Sequence, residues 1–118
     1  SSQMVLRRVA APVEFGDYTL PEGERVLLLI GSANRDEEVF ADASTFRIGR
    51  DCGQSLMSFG IGTHFCLGAH LARLEANIGL TEVVGSVSSV DIDVERAVRV
   101  HSVNVRGFAE LPVRVTAR

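Results

Sequence analysis

The chain has 118 residues, 46% of them hydrophobic, and a formal net charge of −3 at pH 7, a balance that excludes a disordered chain and favours one globular domain. Its basic residues are scattered along the sequence, so no nucleic-acid partner is expected. The longest apolar run, residues 26–30, is too short to cross a bilayer, so we expect no membrane association. Two cysteines and the lack of a signal-peptide pattern indicate a reducing cytoplasm as the location.

Short strands are predicted for the first part of the chain. Residues 3–9 read as a strand, and Val13–Phe15 and Tyr18–Leu20 flank a Gly-Asp turn as a small hairpin. Residues 26–30 form a continuous apolar run bounded by turn residues, which predicts a buried strand. Residues 41–58 have no clear period and are expected to be irregular.

A glycine-rich loop with one cysteine follows at residues 59–68, which we call the cysteine loop. Its glycines allow positive φ, and its small and polar positions leave little to bury, so the loop is expected to hold a partner rather than fill a core. From Leu67 the apolar residues recur at helical spacing, which predicts one long helix over residues 67–84 with its apolar stripe buried in the core. Cys66 would then lie at the helix N-terminus, where free N–H groups and the helix dipole favour a thiolate, the form that binds a metal.

Beyond the helix, the polar residues 86–89 predict a loop. Two extended segments follow at residues 90–94 and 98–105, and the second is expected to turn at Gly107 and pair with residues 111–115. Together these elements predict an α+β fold class, with small antiparallel sheets or hairpins, an irregular meander, the cysteine loop and one long helix.

The cysteine loop resembles the haem-binding signature of the cytochrome P-450 family, the haem-thiolate monooxygenases. All five fixed positions of that signature match, and they are Phe59, Gly62, His64, Cys66 and Gly68. The resemblance implies that Cys66 is the catalytic residue and the proximal ligand of the iron in haem b (iron protoporphyrin IX). It also implies that Phe59 packs beside the sulfur, that His64 reaches a haem propionate, and that Gly60 and Gly68 let the backbone approach the haem.

The resemblance implies further roles outside the loop. Arg7, with Arg8 as its neighbour on the other face of a strand, would pair with a haem propionate, and Arg50 would have a structural role in the meander. Arg73 would face a ferredoxin-type or flavin-type electron donor. The substrate side of the haem would be lined from both ends of the chain, by Gln3, Val5, Asn104 and Val105.

The resemblance covers nearly all of the chain but only the C-terminal quarter to third of a family member. It therefore implies that residues 1–118 are the C-terminal haem-ligand portion of a mainly α-helical domain whose N-terminal two-thirds are absent from the sequence. The complete enzyme would activate O₂ and oxidise an apolar small molecule. The 118-residue chain by itself is expected to be inactive.

Two other interpretations stay open. The chain would be a non-catalytic, haem-free piece that associates with a second copy through exposed apolar surface. Alternatively, His64, Cys66 and His70 would form a structural zinc site with Cys52, although the paired short spacings of such sites are missing. A cysteine simply buried in a core would leave the glycines and the histidine of the loop unexplained.

Overall fold

The structure is a computed structural model that describes residues 2–53 and 55–118. It divides into two compact units. The first unit contains the residues up to Ser58 together with Ser102–Arg106, and the second contains Phe59–His101 and Gly107–Arg118. Short antiparallel strands accompany one long helix, which confirms the predicted α+β class.

The first unit is built from two antiparallel strand pairs and a short helix. Strand β1 (Val5–Arg8) pairs with β4 (Arg25–Leu28), and β2 (Val13–Phe15) pairs with β3 (Tyr18–Leu20) across the predicted Gly-Asp turn. The turn needs a residue with positive φ, and Gly16 supplies it at 58°. The hairpin is therefore confirmed with the predicted bounds.

The apolar run at residues 26–30 was only partly predicted correctly. Its first part belongs to β4, but Ile30 begins helix α1 (Ile30–Ala33), because the N–H groups of Ser32 and Ala33 turn back to the carbonyl of Leu29. The strand is also not buried, since Leu27 and Leu28 remain 48% and 40% exposed. No second layer of the first unit covers them among the described residues.

Phe40 is the buried core residue of the first unit, at 6% exposure. A turn built around Asp36 brings it inward. The backbone N–H groups of Val39 and Phe40 donate to the Asp36 carbonyl at 3.2 and 2.8 Å, and the N–H of Glu38 donates to the Asp36 side chain at 3.0 Å. The capped turn fixes the position of the phenyl ring without a helix.

The second unit contains the cysteine loop, the long helix and four strands. The elements in chain order are a 3₁₀ turn (Gly62–His64), α2 (Ala69–Ser86), β5 (Val87–Ile92), β6 (Val98–Arg99), β7 (Phe108–Glu110) and β8 (Val113–Ala117). Strand β5 pairs with β8, and β6 pairs with β7, both antiparallel.

Three predictions for the second unit were wrong in detail. The helix begins at Ala69 rather than near Cys66. It runs directly into β5, so no loop separates them at residues 86–89, and the N–H of Arg118 donates to the carbonyl of Ser86 at 3.0 Å. The segment after β7 pairs with β5 rather than with residues 98–105, because β6 ends at Arg99.

The apolar stripe of α2 is not buried within the described residues. Leu71, Leu74 and Ile78 are 59%, 55% and 56% exposed, and Ala69 is the one buried residue of the helix. A helix with this many apolar residues normally packs against other elements. Within residues 2–53 and 55–118, the prediction that the apolar stripe of α2 is buried in a core is therefore wrong.

Across the part of the chain that the structure describes, no helix combines the length and the hydropathy needed to span a membrane.

Arg50 holds the irregular segment at residues 41–50 in place. Its guanidinium donates hydrogen bonds to the backbone carbonyls of Ala41, Asp42 and Thr45, the latter two at 2.9 and 3.0 Å. Asp42 has a positive φ of 53°, an uncommon conformation for a residue other than glycine. One planar side chain therefore satisfies three carbonyls of a segment that has no helix or strand of its own.

We expect Arg50→Gln to loosen this segment by about 1–3 kcal/mol, because a neutral amide replaces a charged group that binds three carbonyls. Amide hydrogen exchange of residues 41–50 measures the change. The matched control is Arg47→Gln, which removes only an ion pair of 3.8 Å with Asp42 between largely exposed side chains and should cost less than about 1 kcal/mol. Equal effects of the two substitutions would contradict the structural role of Arg50.

Candidate functional site

The cysteine loop is closed by one backbone hydrogen bond between its ends. The N–H of Cys66 donates to the carbonyl of Phe59 at 2.8 Å. Inside the loop, the 3₁₀ turn at Gly62–His64 is completed by the N–H of Phe65, which donates to the Gly62 carbonyl at 3.0 Å. The carbonyl of Cys66 then accepts from the N–H of Ala69 at 3.2 Å, which leads the chain into α2.

Two glycines make this closure possible. Gly60 and Gly62 have φ values of 72° and 65°, in the left-handed region that other residues rarely adopt. A Cβ on Gly60 would lie 3.3 Å from the carbonyl oxygen of His64, a tight contact with backbone that cannot easily move. Gly60 is therefore required both by its conformation and by the space inside the loop.

Gly68 differs from these two glycines because the chain itself does not require it. Its φ is −82°, and a Cβ there would meet only the sulfur of Cys66, at an ordinary contact distance of 4.0 Å. The missing side chain leaves open space beside the sulfur. This is the arrangement expected where a flat partner passes close to the backbone.

Cys66 is a free and exposed cysteine. It lies three residues before α2, whose N-cap is Gly68, so the prediction that the helix starts near Cys66 was wrong by one short turn. The sulfur therefore belongs to the loop that leads into the helix N-terminus. The thiol is open to a ligand from outside the loop.

Phe59 and Phe65 form the aromatic part of the loop. Their ring centres are 6.5 Å apart with the planes tilted by 57°, an edge-to-face type of contact. The guanidinium carbon of Arg73 lies 4.9 Å from the centre of the Phe59 ring. The sequence had suggested an electron-donor surface for Arg73, and it gave no signal for this contact between the loop and the first turns of α2.

His64 lies at the end of the 3₁₀ turn and is exposed. Its backbone carbonyl faces the position that a Gly60 side chain would occupy, as described above. The side chain is accessible to a ligand, as the predicted contact with a propionate requires.

Two of the residues predicted to line the substrate side, Gln3 and Asn104, come together in the first unit, although they lie at opposite ends of the sequence. The N–H of Gln3 donates to the carbonyl of Asn104 at 2.6 Å, and Ser2 forms a bridge with Val105. Val5 is half-buried on β1, opposite Leu28 of β4. The hydroxyl of Ser102 accepts from the N–H groups of Asn104 and Val105, which shapes the turn.

Arg7 and Arg8 are consecutive residues of β1 in the first unit. The guanidinium of Arg7 donates to the carbonyl of Leu6 at 3.0 Å and is exposed. The guanidinium of Arg8 lies beside Gly23, where it would come within 3.4 Å of an added Cβ. The proposed pairing of Arg7 with a propionate stays a prediction.

Asn34 is a positioning residue that sequence reasoning missed. Its side-chain amide donates to the hydroxyl of Ser58 at 3.0 Å, and its oxygen accepts from the N–H of Met57 at 2.8 Å. It thereby ties the end of α1 to the end of the meander. Both partners are more than twenty residues away in sequence, so no local pattern could have shown the link.

The zinc interpretation finds no support. Within residues 2–53 and 55–118, no group of three His, Cys, Asp or Glu side chains is placed to hold a metal ion. Of the predicted set with Cys52, the three members in the second unit, His64, Cys66 and His70, are therefore not assembled into a metal site. Its weakness was already visible in the sequence, because the ligands lack the paired spacing of zinc sites.

Comparison with known proteins identifies relatives of the chain. The family model for cytochrome P450 matches residues 1–89. Over 118 residues the chain is 54% identical to the putative cytochrome P450 123 of Mycobacterium tuberculosis, a match that covers 100% of this chain and 29% of the relative. The chain thus spans about 29% of the length of the first curated relatives that it matches.

Solved structures of cytochromes P450 are also similar to the chain. Cytochrome P450 CYP109Q5 from Chondromyces apiculatus is similar with a TM-score of 0.90 and 36% identity, over 99% of this chain and 30% of that one. CYP109E1 from Bacillus megaterium, solved in complex with corticosterone, is similar with a TM-score of 0.88 and 38% identity, over 96% of this chain and 30% of that one. At this level of identity the similarity extends beyond the general fold.

We expect Gly60→Ala to destabilise the second unit by about 1–2 kcal/mol, because an alanine would be forced into the left-handed region against the His64 carbonyl. Urea unfolding of the variant and of the parent chain measures the difference. Gly79→Ala is the matched control, since Gly79 lies inside α2 with open space around an added Cβ, and it should stabilise by up to about 1 kcal/mol. A loop that tolerates alanine at residue 60 would contradict the requirement for glycine.

Proposed function

The chain belongs to the cytochrome P450 family, and on that premise we propose that residues 1–118 are the C-terminal haem-ligand portion of a haem-thiolate monooxygenase. Members of this family carry a haem cofactor, and we take it to be haem b. The observation that carries the proposal is the exposed sulfur of Cys66, on a loop closed by Phe59 and with space left open at Gly68.

The residues of the loop fit a thiolate-bound haem. The sulfur is free and exposed, so an iron ion can approach it from outside. Gly68 places no side chain beside the sulfur, and Gly60 leaves room for the carbonyl oxygen of His64 inside the loop. The haem when bound supplies the oxidation chemistry, to which a cysteine ligand contributes electron density that favours O–O cleavage.

Two other loop residues and one arginine outside the loop complete the proposed site. Phe59 holds the N–H of Cys66 through its carbonyl and places its ring against Phe65, so that it fixes the backbone that carries the ligand. His64 is accessible at the end of the 3₁₀ turn for a hydrogen bond to a propionate. Arg7, on β1, would donate a charge-assisted hydrogen bond to a haem propionate, for which an arginine is well suited.

The substrate would be an apolar small molecule. The bridge between the first residues of the chain and the turn at Asn104 and Val105 supports one substrate-lining surface made from both segments, because it brings them together. The complex of the related CYP109E1 with corticosterone fits a large and mostly apolar ligand. The complete enzyme would insert oxygen from O₂ into that ligand with electrons from a ferredoxin-type or flavin-type donor.

We expect Cys66→Ser to abolish the strongly red-shifted Soret band of the reduced, carbon-monoxide-treated and haem-loaded protein, because a hydroxyl cannot replace the thiolate ligand. Absorption spectroscopy after haem loading checks this. Cys52→Ser is the matched control, since Cys52 lies in the first unit with its sulfur near the Arg50 carbonyl, and the band should stay. A parent protein that binds haem without the band would refute the thiolate assignment.

A second candidate function is a non-catalytic, haem-free piece that associates with a second copy. The exposed apolar residues favour it, since Leu71, Leu74 and Ile78 of α2 are each more than half exposed. Exposed apolar surface of this kind drives association in water.

For this candidate, the sedimentation coefficient of the haem-free 118-residue chain should rise with concentration. Leu74→Glu should shift the chain toward monomer, because it places a charge on the apolar stripe of α2. Ala76→Glu, at an exposed small residue on the opposite side of α2 from Leu74, is the control and should leave association unchanged. A monomer at every concentration would exclude self-association.

A further inference from the structure

The contact between Arg73 and Phe59 links α2 to the cysteine loop. Arg73 lies one turn after Ala69, the buried first residue of α2, so its backbone belongs to an ordered helical turn. Its guanidinium carbon is 4.9 Å from the centre of the Phe59 ring. That distance is within the range in which a cation is attracted to the face of an aromatic ring.

Phe59 in turn contacts the ligand-bearing end of the loop twice. Its carbonyl accepts the N–H of Cys66 at 2.8 Å, and its ring lies 6.5 Å from that of Phe65, the residue before the cysteine. Movement of Phe59 would therefore be transmitted to Cys66 through both the backbone and the neighbouring ring. The ring is half-buried, so its position depends on what lies against it.

From these contacts we propose that Arg73 is a positioning residue for the sulfur of Cys66, acting through Phe59. The inference rests on the proposed function, in which that sulfur is the iron ligand. The helix supplies a fixed backbone, the guanidinium covers the Phe59 ring, and the Phe59 carbonyl holds the Cys66 N–H. Arg73 touches no reacting atom in this arrangement.

The chemistry of the contact explains why an arginine serves here. A guanidinium is planar and stacks on an aromatic face, whereas a lysine ammonium is a compact, strongly hydrated charge. Within the described residues, no ion pair competes for the Arg73 guanidinium. If Arg73 formed a docking surface for an acidic partner instead, only its positive charge would matter. Arg73→Lys keeps that charge, so it distinguishes the docking role from the positioning role.

The primary test is amide hydrogen exchange of Cys66 in the haem-free chain, which reports the hydrogen bond to Phe59 directly. We expect Arg73→Gln to speed this exchange about two- to fivefold, the change that corresponds to loss of an exposed cation–π contact. Arg73→Lys should also speed the exchange, but less, because it keeps the charge and loses the planar group that stacks on the ring.

The chain offers a matched control in its other cation–π contact. The guanidinium of Arg99 lies 4.0 Å from the centre of the Phe108 ring, in the β6–β7 hairpin. Arg99→Gln should leave the exchange of Cys66 unchanged. If both substitutions speed that exchange equally, the effect is general destabilisation and the proposal is wrong.

A double substitution tests whether Phe59 is the intermediary. Phe59→Leu removes the ring but keeps the backbone carbonyl, so Arg73→Gln should have no further effect on Cys66 exchange in that background. An undiminished effect would overturn the proposal, as would an Arg73→Gln variant whose exchange equals that of the parent.

The spectrum of the haem-loaded protein separates this inference from the proposed function. We expect Arg73→Gln to lower the fraction of reduced, carbon-monoxide-treated protein that shows the red-shifted band. If Arg73→Gln speeds the exchange of Cys66 but the protein never shows the band, Arg73 positions Cys66 and Cys66 is not the iron ligand. If the parent protein shows the band and Arg73→Gln leaves the exchange of Cys66 unchanged, Cys66 is the iron ligand and Arg73 does not position it.

Discussion

The hydrogen bond from the Cys66 N–H to the Phe59 carbonyl is the constraint on which the candidate site depends. It closes the backbone of the loop between Phe59 and Cys66, and two residues inside the closed segment have positive φ. Gly60 and Gly62 supply that conformation. The position of the sulfur is thus fixed by backbone geometry, and the exposed side chains around it stay available for a ligand.

Much of the local structure could be predicted because its causes are local. The β2–β3 hairpin follows from one glycine turn, and the signature positions of the cysteine loop lie within ten residues of one another. The start of α2 was misplaced because periodicity alone does not locate the N-cap, which is Gly68. The role of Cys66 as an iron ligand was predicted from the family resemblance, and the spacing of the residues alone would not have predicted it.

Contacts across long sequence separations could not be predicted in this way. The pairing of β8 with β5 rather than with residues 98–105 depends on where the chain turns in space. The contact of Arg73 with Phe59 depends on the direction in which α2 leaves the loop. Burial was overestimated for the same reason, because an apolar stripe shows that a helix has a partner but not where that partner lies.

The bond between the Gln3 N–H and the Asn104 carbonyl has a consequence for synthesis in the cell. The first unit includes Ser102–Arg106, so it cannot be completed until the cysteine loop and α2, which lie between its two segments in the sequence, have been synthesised. Its strand pairs β1–β4 and β2–β3 can form early, since they are local. The segments near the expected substrate side therefore meet only after the cysteine loop and α2 have been made.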